Sequence, residues 1–230
     1  MGSQPKTGET MSNIFKDSHR AFQDQFDTRR MADLLEGGFI AAELSEQDEA
    51  FIGSRDMFWL STVDADGLPT VSYKGGDAGF VKIVDKTTIA FPSYNGNGMY
   101  YSMGNISESG KVGMLFMDFE KPIRLRVQGT ATVSDSDPLM ETFKEAQLVV
   151  RVAVSHVFPN CPRYVHRMEK VSASRYVPRD NVDTPLAGWK RIDIVQEALP
   201  AEDQGRADKE GGQITVEEWF GKVAEGNPEA

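Results

Sequence analysis

Seven polar side chains stand beside apolar, strand-like stretches of this chain. Ser72 and Lys74 close the run Leu68–Lys74. Asn97, Ser102 and Asn105 follow in the segment Asn95–Ile106, and Arg124 and Arg126 fall within Ile123–Val133. Together they offer hydroxyl, amide and cationic donors, the inventory that recognises a phosphate. Each residue alone is equally well explained as a cap, a turn bond or a solvated charge. Only convergence of the set on one place in the fold would make a site.

Other chemistries find less support. The histidines are His19, His156 and His166, and none lies in a His-Glu-x-x-His pattern or beside Gly-x-Ser-x-Gly. His156 and His166 read as structural or solvated residues. No Walker A or dinucleotide fingerprint occurs, and Gly75-Gly76 with Gly79 reads as a bend between strands. Asp118 and Glu120 sit at a turn, where solvated carboxylates are expected. Cys161, between Asn160 and Pro162, reads as a small buried hydrophobe. As the chain's single cysteine it permits neither an intrachain disulfide nor a four-thiolate zinc site, so no metal site is expected and a reducing, cytoplasmic setting is.

The elements that must position these side chains are mostly strands. Met57–Val63 and Leu68–Lys74 flank Asp64-Ala65-Asp66-Gly67, a hairpin turn signal. Phe80–Val84 and Thr87–Phe91 follow, the latter ended by Pro92. Lys111–Phe119 and Ile123–Val133 form a second hairpin around Glu120-Lys121-Pro122, and Leu148–Val157 is a long β-branched run. Helices are expected over Ala21–Leu35 (ended by Gly37-Gly38), after the N-cap Ser45, over Met99–Ile106, from Asp137-Pro138 to about Gln147, over Arg163–Met168, and over the amphipathic piece Thr215–Val223. The expected class is mainly β with flanking helices, a small antiparallel barrel.

At 230 residues the chain has length for one to two domains at roughly 150 residues each. Its net charge of −10 disfavours a phosphate-backbone binder of nucleic acid and an anionic membrane surface. The last 34 residues hold nine acids and three bases, so most of the imbalance sits there. The polar start, residues 1–18, reads as a mobile arm with no apolar signal region, and no stretch approaches 18 apolar residues. Three parts are expected: an arm and helix over 1–39, a barrel domain over 40–170 and an acidic extension over 171–230. That extension is expected to add solubility, with Trp219 and Phe220 docking on the barrel or a partner.

The run FWLSTVDADGLPTVSYKGGDAGFVKIVDKTTIAFPSYNGNGMYYSMGNI, its continuation KVGMLFMDFEKPIRLRVQGTATV and the later VFPNCPRYVHR resemble the FMN-binding split barrel of pyridoxamine 5′-phosphate oxidase-like proteins. The resemblance covers roughly residues 40–170. It implies a six-stranded antiparallel split β-barrel, a homodimer with FMN between the subunits, and hydride exchange with a small-molecule substrate. By position, Val71, Ser72, Tyr73 and Lys74 would line the flavin. Phe91 and Pro92 would present backbone groups to the ring's polar edge, and Asn97, Ser102 and Asn105 would lie near the phosphate. Arg124 of a partner subunit would approach the ring. The family's usual Arg-Lys pair near the phosphate is replaced here by Tyr101-Ser102, which leaves Lys74, hydroxyls, amides and helix N–H groups for that task. The substrate-clamping C-terminal residues of the true oxidases have no counterpart. The alternatives are a non-enzymatic flavin-storage or sensor module, and a barrel that binds F420 or haem, the latter through His156 or His166.

Overall fold

A computed structural model describes residues 14–230. Of the arm expected over 1–18, residues 1–13 lie outside the described residues. The elements are α1 (Asp17–Gln25), α2 (Arg29–Phe39), α3 (Glu46–Gly53), β1 (Met57–Val63), β2 (Pro69–Gly75), β3 (Lys82–Asp85) and β4 (Thr88–Tyr94). They continue as α4 (Tyr101–Ser109), β5 (Lys111–Asp118), β6 (Ile123–Ser134), β7 (Ala146–Pro159), α5 (Arg206–Lys209) and α6 (Val216–Ala224).

The strands form one antiparallel sheet in the order β2-β1-β5-β6-β7-β4-β3. Its edges, β2 and β3, are not paired with each other, so the curled sheet stays split. The mainly β class with flanking helices is the one expected. The sheet has seven strands rather than six, because the short β3 joins β4 at one edge. Strand alternation builds the core. Phe58, Leu60 and Thr62 of β1 point inward and are fully buried. The Phe58 ring lies 5.0 Å from Phe91, 5.1 Å from Phe116 and 5.8 Å from Phe80, centroid to centroid. Burying side chains of this size contributes about 1.5–3 kcal/mol each, which makes this cluster a main source of the barrel's stability. In β6, Gly129 sits at a register shift opposite β7, where the chain's own Ala153 carbonyl would meet an added Cβ at 2.2 Å. Only a residue without a side chain fits there.

Several element boundaries differ from expectation. The single helix over Ala21–Leu35 is two, broken where Asp27 adopts φ +52°, and α2 runs through Gly37-Gly38 to Phe39. Glycine permits a helix at modest cost, and neither glycine has any neighbour within 4 Å of an added Cβ. The helix expected from Asp137 is only a 3-10 turn over Pro138–Thr142, capped by the Asp137 carboxylate, and β7 begins already at Ala146. No regular element covers 163–168. Tyr164 there takes φ +68°, and the Met168 amide donates to the Phe119 carbonyl instead of to a helical turn. β4 continues through Pro92 to Tyr94. Its pairing with β3 ends at Ala90, so one side of Pro92 has no strand partner for an N–H to serve.

The extension is ordered around its own contacts. Leu186, Ile192, Leu199 and Ala207 are buried, and Ile192 bridges Ile214. Gly188 is approached by the Glu229 carbonyl, which an added Cβ would meet at 2.2 Å. Thr215 begins α6 with a reciprocal capping box to Glu218. Phe220 remains exposed, while the Trp219 indole nitrogen is buried without a hydrogen-bond partner.

Candidate functional site

A cleft of about 1160 Å³ opens between β2, the end of β4 and the first turn of α4 on one side and the extension on the other. Thr70, Ser72 and Lys74 face it together, because residues two apart on β2 share a face. Ser72 Oγ lies 3.2 Å from Ser102 Oγ, which ties the strand to α4. Asn97 lies on the loop between β4 and α4, and its Oδ1 accepts from the Met99 amide at 3.1 Å.

The N-terminus of α4 opens on the cleft. Tyr101, Ser102 and Met103 line the cleft. The first turn contains no acid, and the N-cap residue Tyr100 supplies no side-chain acceptor. The leading N–H groups and the positive end of the helix dipole are thus left uncompensated by the helix itself. Tyr100 holds the left-handed conformation, φ +48°, and its phenol donates to Gln147 Oε1 at 2.7 Å.

Lys74 is the cation that β2 brings to the cleft, whose lining also holds the carboxylates of Glu145, Asp183, Glu202, Asp203 and Glu210. Its ammonium has no hydrogen-bond or ion-pair partner among the described residues, and burial pushes its pKa below the ordinary lysine value. An uncompensated, partly desolvated cation favours an anionic neighbour. Tyr94, also in the cleft, is pushed above the usual phenol value by burial and then by the Asp77 carboxylate, which keeps it a neutral hydroxyl at neutral pH. On the opposite wall Lys190 pairs with Asp203 at 2.6 Å, and Arg206 pairs with Glu210 at 2.8 Å. Those cations are already neutralised.

Of the ten residues expected at a cofactor, the cleft brings together Ser72, Lys74, Asn97 and Ser102. The other six are elsewhere in this chain. Val71 and Tyr73 point to the opposite face of β2 and are 64% and 62% exposed. Phe91 is a core ring, and Pro92 is buried beside it in the β4–β7 ladder. Ser93 and Tyr94, the next residues of that strand, reach the cleft instead. Asn105 is buried and donates to Thr62 Oγ1 at 3.0 Å, which pins α4 to β1. Arg124 begins β6, outside the cleft, and its guanidinium donates through Nε and Nη2 to the Cys161 carbonyl. His156 and His166 do not line the cleft. Cys161 is exposed rather than buried.

Sequence reasoning missed Thr70, although its two-residue spacing from Ser72 was a usable signal. It also missed the extension's wall, which includes Tyr176, Trp189, Lys190 and Arg206. No helix among the described residues is long and apolar enough to cross a membrane.

The fold and cleft define a split-barrel protein of the open, antiparallel class. The chain belongs to the pyridoxamine 5′-phosphate oxidase family, whose model matches residues 44–175. That span contains all ten expected cofactor residues and excludes α1, α2 and the extension from Tyr176 onward. Among solved structures, HupZ of Group A Streptococcus is similar at 19% identity over 55% of this chain and 99% of that one, with a TM-score of 0.42. A putative pyridoxamine 5′-phosphate oxidase of Lactobacillus delbrueckii is similar at 24% identity, over 51% and 95% of the two chains, with a TM-score of 0.42. The FAD binding protein from Mycobacterium smegmatis is similar at 14% identity, over 52% and 97%, with a TM-score of 0.36. A search of curated proteins gives no match.

Proposed function

We propose that this chain is an FMN-dependent oxidoreductase that works as a homodimer on a small-molecule substrate. The observation that carries this reading is the convergence of Ser72, Lys74, Asn97 and Ser102 with the open N-terminus of α4 on one cleft inside the family-matched region. The donor set fits a phosphate-bearing cofactor: an unpaired ammonium, three hydroxyls counting Thr70, an amide and free helix N–H groups.

When bound, FMN supplies the hydride-transferring centre, so the protein need not contribute a nucleophile or an acid–base pair. The chain's own residues then bind and orient. Ser102 and the first turn of α4 hold the phosphate, with Lys74 as the nearby counter-charge. The β2 face carrying Thr70 and Ser72 sets the cofactor's position against the strand. Val71 and Tyr73, on the exposed face of the edge strand β2, would meet a second subunit. Arg124 would reach the ring only from such a second copy, because in its own chain it lies outside the cleft.

The test is titration of the purified protein with FMN, followed by assay of oxygen and nicotinamide as electron partners. Stoichiometric FMN binding with turnover supports the enzyme. Binding with no turnover by any reductant or acceptor favours the storage or sensor reading. No binding of FMN refutes the proposal, and uptake of F420 or haem instead would redirect it. A stable monomer that binds FMN fully would refute the intersubunit site.

A further inference from the structure

The cleft's second wall comes from outside the family-matched region. Arg179 pairs with Asp77, and Lys144 donates to the Arg179 and Val182 carbonyls, but the fastening at the cleft rim is a buried ion pair with a third partner. Lys190 and Asp203 are 6% and 2% exposed, and Lys190 Nζ lies 2.6 Å from Asp203 Oδ2. A pair withdrawn this far from water is tolerated only where its remaining hydrogen-bonding capacity is also met. Lys190 meets it by donating to Asn95 Oδ1 at 2.5 Å. Asn95 is not part of the extension. It is the first residue after β4, at the start of the Asn95–Gly98 loop that rims the cleft.

The bonding continues past that loop. The Asn95 amide donates to Glu202 Oε1 at 2.6 Å, and Gln147 Nε2 donates to the same oxygen at 3.4 Å. Gln147 Oε1 in turn accepts from the Tyr100 phenol at 2.7 Å. One connected set of polar bonds thus runs from the extension, across the cleft rim, to the N-cap of α4. It ends on a residue in the left-handed region, a conformation that a non-glycine residue keeps only where its surroundings impose it.

We propose that the extension is a working wall of the ligand cleft and that Lys190 is a positioning residue. Through Asp203, Asn95, Glu202 and Gln147 it fixes the Asn95–Gly98 loop and the Tyr100 turn, and so presents the N-terminus of α4 to a phosphate-bearing ligand. The identity of that ligand rests on the FMN reading above; the ordering of the loop does not.

The experiment uses the full chain and two substitutions, Lys190→Gln at one end of the network and Tyr100→Phe at the other, singly and together. Hydrogen–deuterium exchange over 95–103 is measured without ligand, and FMN affinity by flavin fluorescence. The proposal predicts faster exchange over 95–103 in Lys190→Gln and about a tenfold weaker FMN affinity in each single variant. Because both act through one network, the double variant should lose less than the product of the two single losses. Unchanged exchange over 95–103 in a folded Lys190→Gln protein, unchanged affinity, or fully multiplicative losses would overturn it. If Lys190→Gln does not fold, Tyr100→Phe alone decides, and wild-type affinity and exchange in that variant overturn the proposal. If the wild-type chain takes up no FMN, the flavin reading falls, and the exchange measurement alone decides whether Lys190 orders the loop.

Discussion

Replacing Lys74 by methionine keeps an unbranched apolar side chain of similar length and removes the charge. In the ligand-free protein that charge is a liability. Its pKa is lowered by burial, and no acid among the described residues compensates it. The unfolded chain therefore holds this proton more tightly than the folded chain. Stability rises with pH between the lowered folded pKa and the ordinary lysine value, and below both the burial penalty is fully present. Lys74→Met removes that penalty, so the ligand-free variant should melt no lower than wild type at neutral pH. Ligand binding should move the opposite way. A charge-assisted hydrogen bond contributes about 1.5–3 kcal/mol. At 1.4 kcal/mol per factor of ten, its loss weakens FMN binding about 10- to 150-fold. Wild-type affinity should be flat near neutral pH and fall as pH rises through the lowered Lys74 pKa, and Lys74→Met should abolish that fall. Flavin fluorescence titrations across pH, paired with thermal melts, read both quantities. An affinity within twofold of wild type, or a clear loss of stability in the ligand-free variant, would refute the assignment of Lys74 as the cleft's counter-charge.

Three further outcomes follow from the same structure. Asp137 caps the 3-10 turn after β6 and holds Arg151 through both carboxylate oxygens, and that contact keeps its pKa below the usual aspartate value. Asp137→Ala should cost about 1–2 kcal/mol in urea unfolding at neutral pH. The cost should shrink as pH falls through the lowered Asp137 pKa, because wild type loses the same contact there. Gly129→Ala drives a Cβ into the Ala153 carbonyl and should destabilise by about 1–3 kcal/mol, seen as a lower urea midpoint. Exposed Cys161 has its pKa lowered by hydrogen bonding from the Arg163 backbone and then its side chain, so alkylation should reach half its maximal rate at a lower pH than for an ordinary thiol. A profile matching a free thiol would count against that hydrogen bonding.

How much of this was legible in the sequence depends on the range of each interaction. The β1 run is mostly apolar, and its inward face shows only in the fold. The β2 run alternates polar and apolar residues, and the Ser45 N-cap was a local signal with a local partner. The same alternation shows why four consecutive residues, Val71 to Tyr73 and Lys74, do not all line one chain's cleft: Ser72 and Lys74 face it, and Val71 and Tyr73 face away. Phe91 puts its ring in the core because β4 is buried on both faces at its centre, and polarity gave no hint that the strand reaches the cleft at Ser93 and Tyr94. Asn105 has the right residue type and helix, but its amide is used internally by Thr62. The extension's wall was illegible for a different reason. Lys190 and Asn95 are 95 residues apart in the chain, and the backbone that brings Lys190 into place is a short 3-10 turn with no periodic pattern.

The β2–α4 cleft is proposed to hold FMN. The most direct measurement is the absorption spectrum of the protein as purified and after incubation with FMN, with the mass of any cofactor released on denaturation. The expected result is a flavin spectrum, with release of a species with the mass of FMN at about one per chain. A colourless protein that stays colourless with added FMN, or release of a different cofactor, would contradict it.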